Sequence, residues 1–188
     1  MNEIKDYIYI KNLIPKEICD YLINESNKGD WHKHSWYSEK KKDYYSEKKQ
    51  ELSVSKCSAL VQDIINPFIQ KALDEYQYKT INEEQNIGKN IIQQYEFIRY
   101  NKYEVGTRMR KHIDHIKSIF SGDKRGIPIL SILGFLNDDY KGGEFYLKDN
   151  HIKTKTGDIL IFPSNFMFPH EVKLIKKGIR YSFVTWGY

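Results

Sequence analysis

The chain has 188 residues and a formal net charge of +5. That length suits a single domain with a sizeable core, and so modest a charge does not by itself call for nucleic acid. No run approaches the roughly 18 apolar residues of a membrane span, and the N-terminus mixes acids and lysines with no apolar signal core.

Residues 7–10 (YIYI) predict a short strand. Pro15 opens a helix with Ile18, Tyr21 and Leu22 at helical spacing, closing by Lys28-Gly29. Residues 31–37 predict a strand anchored by Trp31 and Trp36. His32 and His34 share a face there, but no acid or cysteine of ligand spacing follows closely, so a surface strand is expected. Residues 38–50, with Lys40, Lys41, Lys42, Lys48 and Lys49, read as a solvated mobile loop. Residues 51–54 predict a strand. Residues 58–78 carry apolar positions at helical period (Leu60, Ile64, Phe68, Leu73, Tyr76), with a kink or break expected at Pro67. Residues 79–90 read as a linker. Cys19 and Cys57 provide no disulfide framework and read as small, partly buried side chains, so a reducing cytoplasm is the expected setting.

From residue 91 the helical period gives way to short runs separated by turn residues. Strands are expected at 91–100, 109–115, 128–136, 143–148, 151–154, 158–162, 168–173 and 178–186. The implied fold class is α+β: a β-sandwich or jelly roll with the N-terminal helices packed outside one sheet. The whole chain, 1–188, reads as one domain, with 1–90 as a helical support region and 91–188 as the core.

The chemistry centres on Tyr103–Asp114. His112 and Asp114 are two positions apart, so on an extended strand both point the same way and can grip one metal ion. The pair is weak on its own. A distant His completes the two-histidine, one-carboxylate set of ferrous oxygenases. His170, in the strand-like stretch His170-Glu171-Val172, is the candidate. Further on, Arg180 and Ser182 share one face of the last strand, where a guanidinium beside a hydroxyl suits a carboxylate. The alternative for Arg180 is a surface residue at a strand end.

Several segments together resemble the 2-oxoglutarate and Fe(II)-dependent dioxygenases, specifically the prolyl 4-hydroxylase group. They are YEVG (103–106), HID (112–114), LSILGFLND (130–138), YKGGEF (140–145), TGDILIFPS (156–164), HEV (170–172) and GIRYSFVTW (178–186). The opening YIYIKNLIPKEICDYL is similar to the start of that group, while residues 38–90 match poorly. The resemblance implies a double-stranded β-helix. It implies Fe(II) on His112, Asp114 and His170, with 2-oxoglutarate and O₂ as cosubstrates and ascorbate as reductant. It implies Arg180 on the distal carboxylate of 2-oxoglutarate and a tyrosine hydroxyl beside the cosubstrate, from Tyr103 or Tyr100. Trp186 falls at an aromatic position near the substrate mouth, or is a core aromatic of the last strand. Phe135 replaces a tyrosine that bonds the distal carboxylate in some members, so either Ser182 or Ser131 takes that task or the cosubstrate binds less tightly. Gly142 and Gly143 are expected to turn the backbone beneath the site, and Glu144 to close that turn. His115 reads as a neighbouring polar residue, and His151 as a surface strand residue.

The implied activity is hydroxylation of a C–H bond with release of succinate and CO₂. The expected substrate is a prolyl residue of a peptide or protein; stretches 38–50 and 117–127 are the expected lids. A free amino acid or a nucleobase is the alternative substrate within the same chemistry. Nucleic acid and membrane are not expected partners. Outside it, a metallo-β-lactamase-like hydrolase would need His where Arg110 stands. A β-sandwich binding module with a relic metal site is the non-enzymatic alternative.

Overall fold

The protein is described from a computed structural model covering residues 4–38, 43–46, 49–80, 92, 94–114 and 128–188. After a short 3₁₀ turn at Ile4–Asp6, strand β1 (Tyr9–Asn12) leads into helix α1 (Lys16–Ser26). Strands β2 (His32–Lys33), β3 (Trp36–Ser38), β4 (Asp43–Tyr45) and β5 (Ser53–Lys56) precede helix α2 (Ala59–Thr80). Then come β6 (Arg99–Tyr103), β7 (Met109–His112), β8 (Leu130–Phe135), β9 (Lys141–Gly142) and β10 (Phe145–Leu147). The chain closes with β11 (Asn150–Ile152), β12 (Asp158–Pro163), β13 (His170–Val172), β14 (Ile175–Lys177) and β15 (Arg180–Gly187).

Seven strands form the main sheet in the order β1-β12-β8-β15-β6-β5-β2, and four form a second sheet in the order β11-β10-β13-β7. The pairings are antiparallel throughout both sheets. This is the jelly-roll arrangement, with α1 and α2 on the outer face of the main sheet. The first ninety residues do more than support that sheet, since β1, β2 and β5 are part of it.

The main sheet is buried on both faces, which explains its continuous apolar runs. In β12, Ile159 and Ile161 point to the helices while Leu160 and Phe162 point between the sheets. In β15, Tyr181 and Phe183 join the helical side and Val184 the inner side. Such runs lack the polar alternation of a half-buried strand. Gly134 pairs with Phe183, whose ring lies where a Cβ at Gly134 would stand. At Gly142, φ is 77° and a Cβ would run into the Leu174 carbonyl, so the turn beneath the site requires glycine.

Several expectations change. Helix α2 runs unbroken through Pro67. Pro67 is exposed, so the carbonyl it leaves unbonded can face water, while Val61, Ile65, Ile69, Leu73 and Tyr76 keep a continuous buried face. The strand expected at 91–100 begins at Arg99 and continues to Tyr103. Residues 94–96 instead hang from the end of β15, with Glu96 N–H donating to the Trp186 carbonyl and Tyr188 N–H to the Gln94 carbonyl. The 38–50 stretch contains β4, paired with β3; most of its lysines lie outside the described residues. Strand β14 was not expected: it is three residues long with only Ile175 buried, too short for alternation to register. Of the linker expected at 79–90, residues 79 and 80 are the end of α2; the rest, with the lid expected at 117–127 and His115, lies outside the described residues.

Candidate metal centre

Strands β7 and β13 are neighbours in the second sheet, and His112 pairs directly with His170. Asp114 follows the end of β7. The three side chains converge: one ligand atom from each lies within 4.8 Å of the others. His112 Nε2 is 3.3 Å from Asp114 Oδ1, and His170 Nε2 is 3.6 Å from Asp114 Oδ2. The rings are oriented from behind. His112 Nδ1 is 2.7 Å from the Arg110 carbonyl, and His170 Nδ1 is 3.2 Å from the Phe168 carbonyl. A carbonyl can only accept, so both Nδ1 atoms carry the hydrogen and both Nε2 lone pairs face the carboxylate. That donor set fits a divalent ion such as Fe(II).

Asp114 is held as well. Its Oδ2 accepts from Ser131 Oγ at 2.8 Å. Ser131 Oγ also lies 2.8 Å from Ser164 Oγ, and the Ser164 hydroxyl donates to the Asp114 backbone carbonyl at 3.2 Å. Behind His112, the Trp36 ring makes an edge contact at 5.4 Å between centroids. Trp36 Nε1 donates to Glu51 Oε1 at 2.7 Å, and Arg110 lies 4.9 Å over the Trp36 ring and 3.6 Å from Glu51.

Burial works against charge on both members of the inner pair. It pushes the His170 imidazole down to about 4, which keeps it neutral near neutral pH. Burial also opposes ionisation of Asp114, but the positive charge that the neighbouring imidazoles carry in acid outweighs it and holds the carboxyl well below the usual range. Partial burial, with Arg99, His112 and Arg110 nearby, pushes His34 down to about 3.

Across from this cluster lies the inner face of the main sheet. Register places Tyr103 opposite Arg180, Asn101 opposite Ser182 and Arg99 opposite Val184. Arg180 is 1% exposed. Its guanidinium sits 4.8 Å from the Tyr103 ring and 5.2 Å from the Phe135 ring. Nη1 donates to Ser182 Oγ at 3.1 Å, while Nε and Nη2 are buried without a partner. Arg99, Asn101, Tyr103, Arg180 and Ser182 line one narrow cavity of about 30 Å³ with the His112–Asp114–His170 cluster and Trp186. Unpaired buried guanidinium donors are costly, and a carboxylate in that cavity satisfies them. Burial raises the Tyr103 phenol, keeping it a hydroxyl.

The structure thus brings His112, Asp114, His170, Arg180, Ser182, Tyr103 and Trp186 to one cavity. Tyr100 is not among them. It lies an odd number of positions from Tyr103, so its side chain enters the opposite core beneath the helices, beside Trp31. Ser131 serves Asp114 rather than the Arg180 end. His32 is exposed, and neither it nor His34 belongs to the ligand cluster. Glu144 contributes its backbone, accepting from the Lys173 N–H. Ser164, Glu51, Asn101 and Arg99 were missed, as were the role of Ser131 beside Asp114 and that of Trp36 behind His112. A serine that is wholly buried inside the apolar run 130–136 was the available signal for Ser131.

Comparison with known proteins agrees with this geometry. Residues 97–188 match the model of the 2OG-Fe(II) oxygenase superfamily. That match covers just under half of the chain, and the chain as a whole is prolyl 4-hydroxylase-like in fold. It is similar to a viral collagen prolyl hydroxylase from Paramecium Bursaria Chlorella virus-1, with 16% identity, TM-score 0.62, and 96% of this chain and 94% of that one covered. A prolyl hydroxylase from Trichoplax adhaerens, in complex with a hypoxia inducible factor peptide fragment, has 16% identity and TM-score 0.70, covering 97% and 84%. A Pseudomonas putida prolyl-4-hydroxylase has 18% identity and TM-score 0.60, covering 96% and 91%. No curated protein sequence matches. The family uses Fe(II), 2-oxoglutarate and O₂. No helix among the described residues is long and apolar enough to cross a membrane.

Two outcomes follow from this geometry. Ser131→Ala removes the hydrogen bond to Asp114 and should weaken Mn(II) or Co(II) binding about tenfold, read by metal titration; an unchanged affinity contradicts that role. His170 and His34 bind protons more readily unfolded, near 6.5, than folded, at about 4 and about 3. Their contribution to stability is complete above pH 6.5 and is lost as pH falls towards those folded values. The denaturation midpoint of the chelator-treated protein should fall across that window, and a midpoint flat across it contradicts the burial argument.

Proposed function

We propose that the chain is an Fe(II)- and 2-oxoglutarate-dependent hydroxylase acting on a prolyl residue of a peptide or protein. The observation that carries this reading is the shared cavity: three metal-type ligands on one wall and a buried, unpaired guanidinium on the other. His112, Asp114 and His170 hold the metal. Bound there, Fe(II) with 2-oxoglutarate and O₂ supplies the oxidising power that hydroxylates a C–H bond and releases succinate and CO₂.

The protein residues position and shield. The two Nδ1–H bonds to backbone carbonyls aim both Nε2 lone pairs at the ion. Ser131 fixes the rotation of the Asp114 carboxylate. Arg180 pairs with the distal carboxylate of 2-oxoglutarate, oriented by Ser182 and flanked by Tyr103 and Phe135. Ser182 takes the place of the tyrosine that Phe135 lacks. The Tyr103 hydroxyl bonds the cosubstrate from the side. Phe145 and Phe162 pack on the His170 ring at centroid distances of 5.8 and 5.0 Å and keep water from its back. Trp186 stands where a substrate enters. No side chain acts as general base.

The prolyl assignment is supported by the motif resemblance and by the names of the similar structures. The whole chain, 1–188, forms one catalytic unit in this reading. Ascorbate is the expected reductant. Both cysteines are free and buried, in keeping with a reducing cytoplasm.

With Fe(II), ascorbate, 2-oxoglutarate and proline-rich peptides, the protein should form succinate and add 16 mass units to a peptide containing proline. His112→Ala should abolish both, and full activity in that variant contradicts the metal assignment. Arg180→Ala should raise the 2-oxoglutarate requirement by tenfold or more, about the worth of a buried charged hydrogen bond, with metal affinity little changed. An unchanged requirement shows that another group holds the carboxylate.

A further inference from the structure

We propose that Arg99 is the anion-recognising group of the substrate subsite, and that the substrate presents a carboxylate close to the carbon that reacts. This rests on the reading of the site given above and specifies the substrate it takes.

Arg99 is a second cation on the inner face of the main sheet. Register sets it opposite Val184, four residues along β15 from Arg180 and therefore roughly 13 Å further along the strand. The two arginines face separate anions or opposite ends of a long one. Arg99 Nε is buried without a hydrogen-bond partner, and among the described residues its guanidinium makes no ion pair. The acids that act on it through space are Asp114 and Glu96. Asp114 belongs to the metal cluster. Glu96 Oε1 accepts the Tyr188 hydroxyl at 2.6 Å. Neither carboxylate is placed to neutralise it directly.

Its position connects two spaces. Arg99 and Trp186 line the inner cavity with the metal ligands, and the same two residues line an outer groove of about 770 Å³. Tyr95, Phe97 and Tyr188 wall that groove, and Lys56 adds a further positive charge. The guanidinium lies 5.1 Å from the centre of the Trp186 ring, which holds it at the junction. Phe97 is 70% exposed, leaving an aromatic surface open to a ligand. An apolar body with an adjacent carboxylate suits this arrangement. The aromatic walls receive the body, and the guanidinium receives the charge in a two-pronged, charge-assisted contact. Such a carboxylate comes from a free amino acid or from an acidic side chain beside a prolyl residue.

The test uses the full chain loaded with Mn(II) and 2-oxoglutarate, titrated calorimetrically with three probes. They are free L-proline, an end-blocked peptide with Asp on both sides of proline, and the same peptide with Asn in place of Asp. The wild type should bind L-proline or the acidic peptide about tenfold or more tightly than the Asn peptide. Whichever carboxylate probe binds identifies its source. Arg99→Met should lose that preference with 2-oxoglutarate affinity unchanged, and Arg99→Lys should keep part of it. Equal weakening of acidic and neutral peptides in Arg99→Met would mean that Arg99 only props Trp186, and overturns the proposal. A selective loss of 2-oxoglutarate affinity would make Arg99 a cosubstrate contact, and also overturns it. Normal 2-oxoglutarate binding with no preference for either carboxylate probe overturns this inference alone. Failure of the wild type to bind 2-oxoglutarate overturns the reading of the site as well.

Discussion

Arg180 is almost completely buried, yet within the protein only its Nη1 is hydrogen-bonded, to Ser182. Two donors, Nε and Nη2, are left without partners. A charge of that kind is tolerated only when an anion completes it. The surroundings keep the guanidinium in place without neutralising it: aromatic rings of Tyr103 and Phe135 lie on either strand beside β15. The guanidinium is thereby held in the cavity that the metal ligands also line. The main sheet must be rigid enough to hold it.

That rigidity comes from burial on both faces. Helices α1 and α2 cover the outer face through Leu22, Val61, Ile65, Ile69 and Leu73, which pack against Ile132, Ile159, Ile161 and Phe183. Tyr9 and Lys11 of β1 both bond Glu75 of α2, tying the sheet edge to the helix. The second sheet seals the inner face, and its β7–β13 pairing is what sets His112 beside His170. Each ligand is then fixed by a bond to its far side, from a backbone carbonyl for the histidines and from Ser131 for Asp114. The metal centre and the carboxylate partner thus come from two different sheets, and the packing between those sheets sets the distance between them.

Much of this was legible in the sequence because it depends on local rules. The i, i+2 spacing put His112 and Asp114 on one side, the same rule put Arg180 beside Ser182, and turn residues marked the strands of the second half. What failed depended on register or on three-dimensional neighbours. Choosing between Tyr100 and Tyr103 requires knowing which face of β6 looks inward, and that is decided by β15 and the helices. Pro67 looked like a break because its cost is local, whereas the buried face that carries α2 past it is not. Trp36, held by Glu51, reaches His112 across a fold that no spacing announces. Arg99 carries no motif at all; only its register opposite Val184 brings it to the cavity. The short strand β14 has one buried residue and so no pattern to read.

The central claim is that one dicarboxylate bridges the two walls, with its distal end on Arg180. Calorimetric titration of the Mn(II)-loaded protein with 2-oxoglutarate and with 2-oxobutyrate, which keeps the chelating end but lacks the distal carboxylate, tests it directly. The account predicts that 2-oxoglutarate binds about a hundredfold or more tightly, since 2-oxobutyrate leaves the buried guanidinium unpaired. Equal affinity for the two acids would contradict it.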